Sequence, residues 1–159
     1  MPFAASELLT VVVVTHNSRS FLEAFLRSWQ AACAGWSTRA ALIIADAGST
    51  DDTRVAVAAG APAAGVLPLA NVGFGAAANA AVSQVTTPWF LLCNPDLVFP
   101  QHFARGLEDI LPKPESEPID WIARTAIFAP RLLNADGSQQ PSAGRFPTIR
   151  GIICDQLRP

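Results

Sequence analysis

The feature that most constrains the fold is a regular alternation between short apolar runs and segments with helical spacing. The first run, Leu8–Thr15, is β-branched and apolar along nearly its whole length. Such a run is typical of a strand that is buried on both faces, as in a parallel sheet. Three later runs predict further strands, over Ala41–Ala45, Gly65–Leu69 and Trp89–Cys93.

The segments between these runs have the pattern of helices. The first carries apolar residues on one helical face: Phe21, Leu22, Phe25, Leu26 and Trp29. We expect Ser18 or Ser20 to cap this helix and expect it to end near Gly35. Three more helices are predicted, over residues 50–59, 75–85 and 101–111. Alternating strands and helices with short loops predict an α/β fold, a single Rossmann-like domain whose mostly parallel sheet is flanked by helices.

The rest of the chain has a weaker pattern. Pro112–Pro118 is rich in proline and charge and predicts a surface loop. A short strand is predicted over Ala126–Ala129, and Asn134–Gly137 has the composition of a turn. We therefore divide the 159 residues into an α/β region, 1–111, and a second region, 112–159.

Composition excludes several classes of protein. Half of the residues are hydrophobic and 15% are charged, which argues against disorder. The net charge is −2 and no basic stripe is present, so nucleic acid is not an expected partner. Cys33, Cys93 and Cys154 are far apart, which favours reduced thiols and a cytoplasmic location over a zinc site or disulfides. No apolar run approaches the roughly 20 residues that span a bilayer, and peripheral contact with the inner face of the membrane stays open.

Polar residues follow three of the predicted strands. Ligands of open α/β sheets bind outside the carboxyl ends of the strands, where Asp46, Asn71 and Asp96 fall. A carboxylate such as Asp96 can hold Mg²⁺ or Mn²⁺, which one or two carboxylates and substrate phosphates usually bind together. The alternative is a turn aspartate that caps the following residues.

Asp46 also ends an apolar strand. Its oxygens could accept from the imide N–H of uracil or thymine or from a ribose hydroxyl; the alternative is an Asx turn into the next helix. Ser49 and Asp52 have the spacing of a capping box. We interpret Asp51 and Asp52 as structural residues of the first helical turn.

A glycine-containing loop opens the third predicted helix. Gly73 and Gly75 let backbone approach a ligand, and free N–H groups there could face an anion. Gly73–Ala78 also matches the G-x-G-x-x-A pattern of nicotinamide-binding domains, with Asp96 about 20 residues beyond. An NAD(P)-dependent oxidoreductase is therefore an alternative, although Ala70–Val72 separate the pattern from its strand. His16 follows the first strand, where a lone histidine is more often structural than a ligand contact.

Four segments in order resemble family 2 glycosyltransferases, and the fourth resembles the variant metal motif of their rhamnosyltransferase-like members. They are Val11–Ser18, Asp46–Thr53, Asn71–Asn79 and Leu92–Asp96. The resemblance covers roughly the first two-thirds of the chain.

The resemblance implies a GT-A fold, which binds a nucleoside diphosphate sugar. It implies that Asp46 contacts the base, that Thr15 and Asn17 line the nucleotide pocket, and that Asp96 binds the divalent metal. Asn94 stands where the motif often has an aspartate, so the charge for metal binding rests on Asp96. The nucleotide-binding set is completed by residues of the other motifs: Asn71, Gly73 and Asn94.

The implied reaction is inverting, metal-dependent transfer of a sugar from a dTDP- or UDP-linked donor to a glycan or lipid-linked acceptor, with dTDP-rhamnose as one donor. Such transfer serves cell-surface polysaccharide synthesis. Family members carry the catalytic base in a later acidic segment, and the sequence up to Pro159 has no such segment. We therefore expect a chain truncated after its donor-binding half, with 112–159 an incomplete start of the acceptor side. A non-catalytic nucleotide-binding remnant is the further alternative.

Overall fold

The computed structural model describes residues 8–34, 40–111 and 127–141. The chain divides into two compact units, Met1–Pro112 and Lys113–Pro159. Some predictions lie outside the described residues: the loop Pro112–Pro118 and Cys154. The first helix, predicted to end near Gly35, ends at Ala32.

The first unit contains a four-stranded parallel sheet. Its strands are β1 (Leu9–Thr15), β2 (Ala40–Ala47), β3 (Gly65–Leu69) and β4 (Trp89–Cys93). They lie in the order β3-β2-β1-β4, and every neighbouring pair is parallel. The chain moves outward from β1 to β3 and then crosses to the other side of β1. This reversal makes a topological switch point between β1 and β4, the usual place for a ligand in such sheets.

A helix follows each strand, so the predicted alternation is confirmed. The helices are α1 (Arg19–Ala32), α2 (Thr53–Gly60), α3 (Phe74–Val82) and α4 (Phe103–Ile110). None of the helices in the described residues is long and apolar enough to cross a membrane.

Helices cover both faces of the sheet. On one face, residues of α1, α2 and α4 pack against Val11 and Val13 of β1. On the other face, the alanines of α3 pack against Val12 and Val14. Because successive side chains of a strand point to opposite faces and both faces are covered, all of β1 is buried, which explains its largely apolar sequence. The predicted α/β class is therefore confirmed.

The described part of the second unit is a short stretch, residues 127–141. The predicted strand at its start is wrong over Ile127–Ala129, which form no strand, and Ala126 lies outside the described residues. The predicted turn is confirmed, because the Gly137 N–H donates to the Asn134 carbonyl over 2.9 Å. Beside the turn, Leu133 and Gln139 form an isolated antiparallel bridge, which does not include Ile127–Ala129.

Candidate functional site

The carboxyl edge of the sheet brings together residues that are far apart in sequence. Thr15 at the end of β1 is the direct neighbour of Asp46 in β2. On the other side of β1, Val13 pairs with Cys93, so Asn94 and Asp96 continue from β4 along the same edge. The fold thus brings the predicted site residues of β1, β2 and β4 to the two sides of the switch point.

Asp46 is buried and held on both oxygens by protein groups. Its Oδ1 accepts from the hydroxyl of Thr15 at 3.1 Å and from the hydroxyl of Ser49. Its Oδ2 lies 3.4 Å from Nε of Arg54. A buried carboxylate is stable only when it is paired and hydrogen-bonded, and these partners meet that need. The contact between Asp46 and a base stays a prediction.

Asn17 connects the loop after β1 to the loop after β2. Its backbone is in the left-handed region, with φ 49°. Its side-chain oxygen accepts from the N–H groups of Thr50 at 2.8 Å and Asp51 at 3.4 Å, and its own N–H donates to Ser49 over 2.9 Å. Asn17 is therefore at the predicted edge, where its oxygen binds a neighbouring loop.

Ser18, Thr53 and Asp51 extend this connection. The Ser18 N–H donates to Oγ1 of Thr53 at 2.8 Å, and the Thr53 hydroxyl donates to Asp51 at 2.5 Å. Asp51 also accepts from the N–H groups of Thr53 and Arg19. The Thr53 hydroxyl is the main cause that lowers the pKa of Asp51 below its ordinary value. The structural interpretation of Asp51 agrees with these contacts.

The predicted caps are wrong in detail. Ser18 stands at the N-cap of α1, but its hydroxyl bonds the His16 backbone and does not cap the helix. Ser49 is not part of a capping box, because its hydroxyl donates to Asp46. The second helix consequently begins at Thr53 and not near Thr50.

His16 is exposed at the same edge, and its orientation is fixed. Its Nδ1 lies 2.8 Å from the carbonyl oxygen of Ala47. Because a carbonyl only accepts, Nδ1 is the donor in this contact. The amide nitrogen of Asn17 lies 3.5 Å from Nε2. These two contacts orient the imidazole, which is otherwise exposed.

The loops after β2 and β3 are in close contact at Gly48. This residue has φ +72°, and a Cβ built there would lie 2.9 Å from the backbone nitrogen of Asn71. Gly73, at the N-cap of α3, has φ +80° and open space around it. Asn71 and Gly73 are exposed. Sequence reasoning did not include Gly48 among the site residues, although a glycine two positions after a strand-ending aspartate was a usable signal.

Asp96 differs from Asp46 because it is exposed and free. No hydrogen bond or ion pair joins it to another residue in the described part of the chain. No group of three or more His, Cys, Asp or Glu residues comes together anywhere in that part. A metal at this edge would therefore need oxygens from its ligand as well as from Asp96. Carboxylate and phosphate oxygens are the set that Mg²⁺ prefers, so the residues fit such an ion.

Comparison with known proteins gives the family context of this edge. Residues 10–118 match the family described as Glycosyl transferase family 2. The match covers more than half of the chain and includes all four strands except Leu9, the first residue of β1.

Two curated relatives are N-acetylglucosaminyl-diphospho-decaprenol L-rhamnosyltransferases of Mycobacterium tuberculosis. One is from strain CDC 1551 / Oshkosh and the other from strain ATCC 25618 / H37Rv. Each is 31% identical over 167 aligned positions, which cover 97% of this chain and 51% of the relative. The chain therefore spans about half the length of the curated relatives that it matches.

Two solved structures of S. aureus TarS 1–349 have a similar fold. One has a TM-score of 0.58 at 20% identity and covers 65% of this chain and 32% of that chain. The other, in complex with UDP, has a TM-score of 0.56 at 19% identity and covers 65% and 31%. These similarities support the arrangement of strands and helices described above.

Proposed function

Because the chain belongs to glycosyl transferase family 2, we propose that its α/β region binds the donor of a glycosyl transfer reaction. The proposed donor is a uridine or thymidine diphosphate sugar, dTDP-rhamnose among them, and the proposed acceptor is a glycan or a lipid-linked glycan. The decaprenol and rhamnosyl terms in the relatives' name and the UDP bound to TarS support these choices. A lipid-linked acceptor would bring the reaction to a membrane surface.

The observation that carries the proposal is the contrast between the two aspartates at one sheet edge. Asp96, on one side of the switch point, is exposed and has no partner among the described residues, and the polar loops after β1 and β2 form the other side. A nucleoside diphosphate needs both a charge partner for its phosphates and polar groups along its nucleoside. We therefore propose that Asp96 binds the diphosphate through Mg²⁺ or Mn²⁺. Thr15, Asn17 and Asp46 line the part of the site that holds the nucleoside.

Three more residues complete this assignment. Asn71 and Gly73 belong to the exposed loop that touches Gly48, and Asn94 precedes Asp96 on the β4 side. We propose that all three line the nucleotide site, with Asn94 as a neutral hydrogen-bonding group.

The proposed reaction inverts the anomeric carbon. The acceptor oxygen attacks that carbon from the side opposite the diphosphate, and the bond between carbon and the phosphate oxygen breaks with its electrons going to the departing diphosphate. A base outside the residues assigned here takes the acceptor proton. A divalent ion, when bound, neutralises charge on the leaving group. The residues of this chain hold the nucleotide so that the anomeric carbon faces the acceptor.

The alternative of an NAD(P)-dependent oxidoreductase is not retained. The G-x-G-x-x-A pattern at Gly73–Ala78 lies inside the region that matches the glycosyltransferase family. In the structure, residues 70–73 separate β3 from α3, so the glycines do not follow their strand directly.

Calorimetric titration of the chain tests the proposal. We expect UDP or dTDP to bind in the presence of Mn²⁺, and NAD not to bind. Asp96→Asn should reduce the affinity measured with Mn²⁺ to that measured without metal, a loss of about tenfold or more because a charged ligand is removed. Glu23→Gln is the matched control, since Glu23 is an exposed carboxylate on α1. Binding of NAD without metal, or equal effects of both variants, would sink the assignment.

A further inference from the structure

The carboxylate of Asp96 has no bonded partner among the described residues, so the chain on either side of it sets its position. Asp96 belongs to the loop between β4 and α4, residues 94–102. Cys93, directly before this β4–α4 loop, is 3% exposed, and Phe99 within the loop is 8% exposed. The carboxylate therefore lies on a short exposed segment between two buried points of the chain.

Phe99 is held by aromatic side chains of two helices. Its ring centroid is 5.4 Å from that of Phe25 and 5.3 Å from that of Trp29, both on α1, and 4.9 Å from that of Phe103 on α4. Leu97 is partly buried against the same apolar cluster. Two alternate residues of the loop are thus directed into the core. Because protein cores are close-packed, side chains held in this way also restrict the backbone that carries them.

A hydrogen bond joins the same point of the loop to the middle of α1. The N–H of Phe99 donates to the hydroxyl of Ser28 at 3.1 Å, and this hydroxyl donates to the carbonyl of Phe25 at 2.9 Å. The hydroxyl therefore uses its one donor within the helix and keeps a lone pair for the loop. Without it, the part-buried N–H of Phe99 would lose its acceptor, which favours a shift of the loop backbone.

We propose that Ser28 and Phe99 are positioning residues for Asp96, because their contacts hold the β4–α4 loop in one conformation. The carboxylate is then in place for a divalent cation before the ligand arrives, and the entropy of ordering the loop is lost during folding and not on binding. The inference rests on the proposed function and deepens it, since it concerns the metal-dependent part of nucleotide binding. Both residues act through the loop and not by contact with the ligand.

Calorimetric titration of UDP into the chain, with and without Mn²⁺, tests the role of Ser28. We expect Ser28→Ala to lower the affinity with Mn²⁺ about three- to tenfold, because part of the loop must then be ordered on binding, and to leave the metal-free affinity unchanged. Ser83→Ala is the matched control. The Ser83 hydroxyl also donates to a carbonyl three residues earlier, that of Ala80, but it stands at the C-cap of α3. Both affinities of this control should equal those of the wild type.

A double-mutant cycle shows whether Ser28 acts through Asp96. In an Asp96→Asn background the carboxylate charge is absent, so Ser28→Ala should have little further effect on UDP binding in the presence of Mn²⁺. Equal losses in both backgrounds, or equal losses with and without Mn²⁺, would indicate a general loss of structure and would overturn the positioning role.

Phe99→Leu is a second variant that tests the aromatic contacts separately from the hydroxyl. It keeps the backbone N–H and an apolar side chain but loses the edge-on contacts with Phe25 and Trp29. We expect the same selective loss of affinity with Mn²⁺. If Mn²⁺ tightens UDP binding equally in the wild type and in both variants, the inference fails alone. If the wild-type chain binds no UDP, or binds it equally with and without Mn²⁺, the proposed function fails and this inference with it.

Discussion

Asp46 is the next-to-last residue of β2 and Asp96 follows β4, yet their surroundings give the two carboxylates different chemistry. Asp46 is enclosed by Thr15, Ser49 and Arg54, whereas Asp96 is in solvent without a partner in the described residues. Burial demands that a charge be neutralised by fixed protein groups, and exposure leaves a charge free for an external cation. Sequence alone placed both residues at the sheet edge. It could not separate them, because the hydroxyl of Thr15 reaches Asp46 across 31 positions of sequence.

Gly48 is required at its position for two separable reasons. Its φ of +72° is unfavourable for other residues, and its missing side chain admits the backbone of Asn71. We expect Gly48→Ala to lower the free energy of unfolding by about 2 kcal/mol or more, with about 1 kcal/mol or more from the left-handed backbone and the rest from the contact. Urea denaturation followed by circular dichroism measures this loss.

Gly75 is the control for that prediction. It lies in α3, its φ is outside the left-handed region, and no atom lies within 4 Å of a Cβ built there. Gly75→Ala should therefore leave the free energy of unfolding unchanged or raise it, since alanine is the better helix former. A loss at Gly75 equal to the loss at Gly48 would mean that neither the backbone of Gly48 nor its contact with Asn71 contributes.

At the scale of elements, hydrogen bonds between two loops fix where α1 and α2 begin. Ser18 at the start of α1 donates to Thr53 at the start of α2, and Asp51 accepts from the N–H of Arg19. The two helices are therefore joined at their amino-terminal ends, directly beside the predicted nucleotide site. A substitution that breaks this junction should act on both helices.

Thr53 is the central residue of this junction. Two substitutions separate the role of its hydroxyl from the role of its side-chain volume. We expect Thr53→Val to cost about 1–3 kcal/mol at about pH 7, because the buried Ser18 N–H loses its acceptor. Thr53→Ser keeps the hydroxyl and is the control. Chemical denaturation of the two variants at several pH values gives the difference in stability.

The stability difference between the two Thr53 variants should depend on pH because of Asp51. The Thr53 hydroxyl lowers the pKa of Asp51 in the folded chain. The stability that this hydrogen bond contributes is therefore complete above the unfolded carboxyl pKa of about 3.9 and is lost as the pH falls through the folded pKa of Asp51. The difference between the Val and Ser variants should accordingly shrink in acid. A difference that grows in acid would contradict this account of the Asp51 contacts.

The elements that sequence predicted well are those marked by a continuous apolar run. The strand at Trp89–Cys93 was predicted with the bounds it has in the structure, because its apolar run marks it. The start of α2 was predicted three residues early, because the Ser49 hydroxyl binds Asp46 and is not available as a cap. The predicted strand is absent at Ile127–Ala129, the part of it that the structure describes, because a short apolar run does not specify a partner strand. Local pattern thus predicted the sheet, and contacts distant in sequence decided the caps and the site.

Across the whole first unit, the two faces of the sheet are packed by different kinds of side chain. The α1 face has an aromatic cluster, in which the rings of Phe25 and Trp29 meet Phe99 edge-on with centroids 5.4 and 5.3 Å apart. The α3 face is packed by buried alanines such as Ala77 and Ala81, which let the helix approach the sheet closely. The large side chains, and with them most of the dispersion contacts, therefore belong to the α1 face.

The two cysteines of the described residues, Cys33 and Cys93, are buried within the core on that face. Burial raises the pKa of each thiol to about 12. Since the thiolate is the reactive form, neither thiol should react appreciably at about pH 8 while the chain is folded, and both should react after unfolding. Ellman's reagent applied to a Cys154→Ser variant, which removes the third thiol, measures this directly. The two thiols lie at the ends of α1 and β4. If both are modified at the same rate, and that rate equals the rate of global unfolding, helix and sheet open together. Fast modification of either thiol in the native chain would instead show that its end of the core opens by itself.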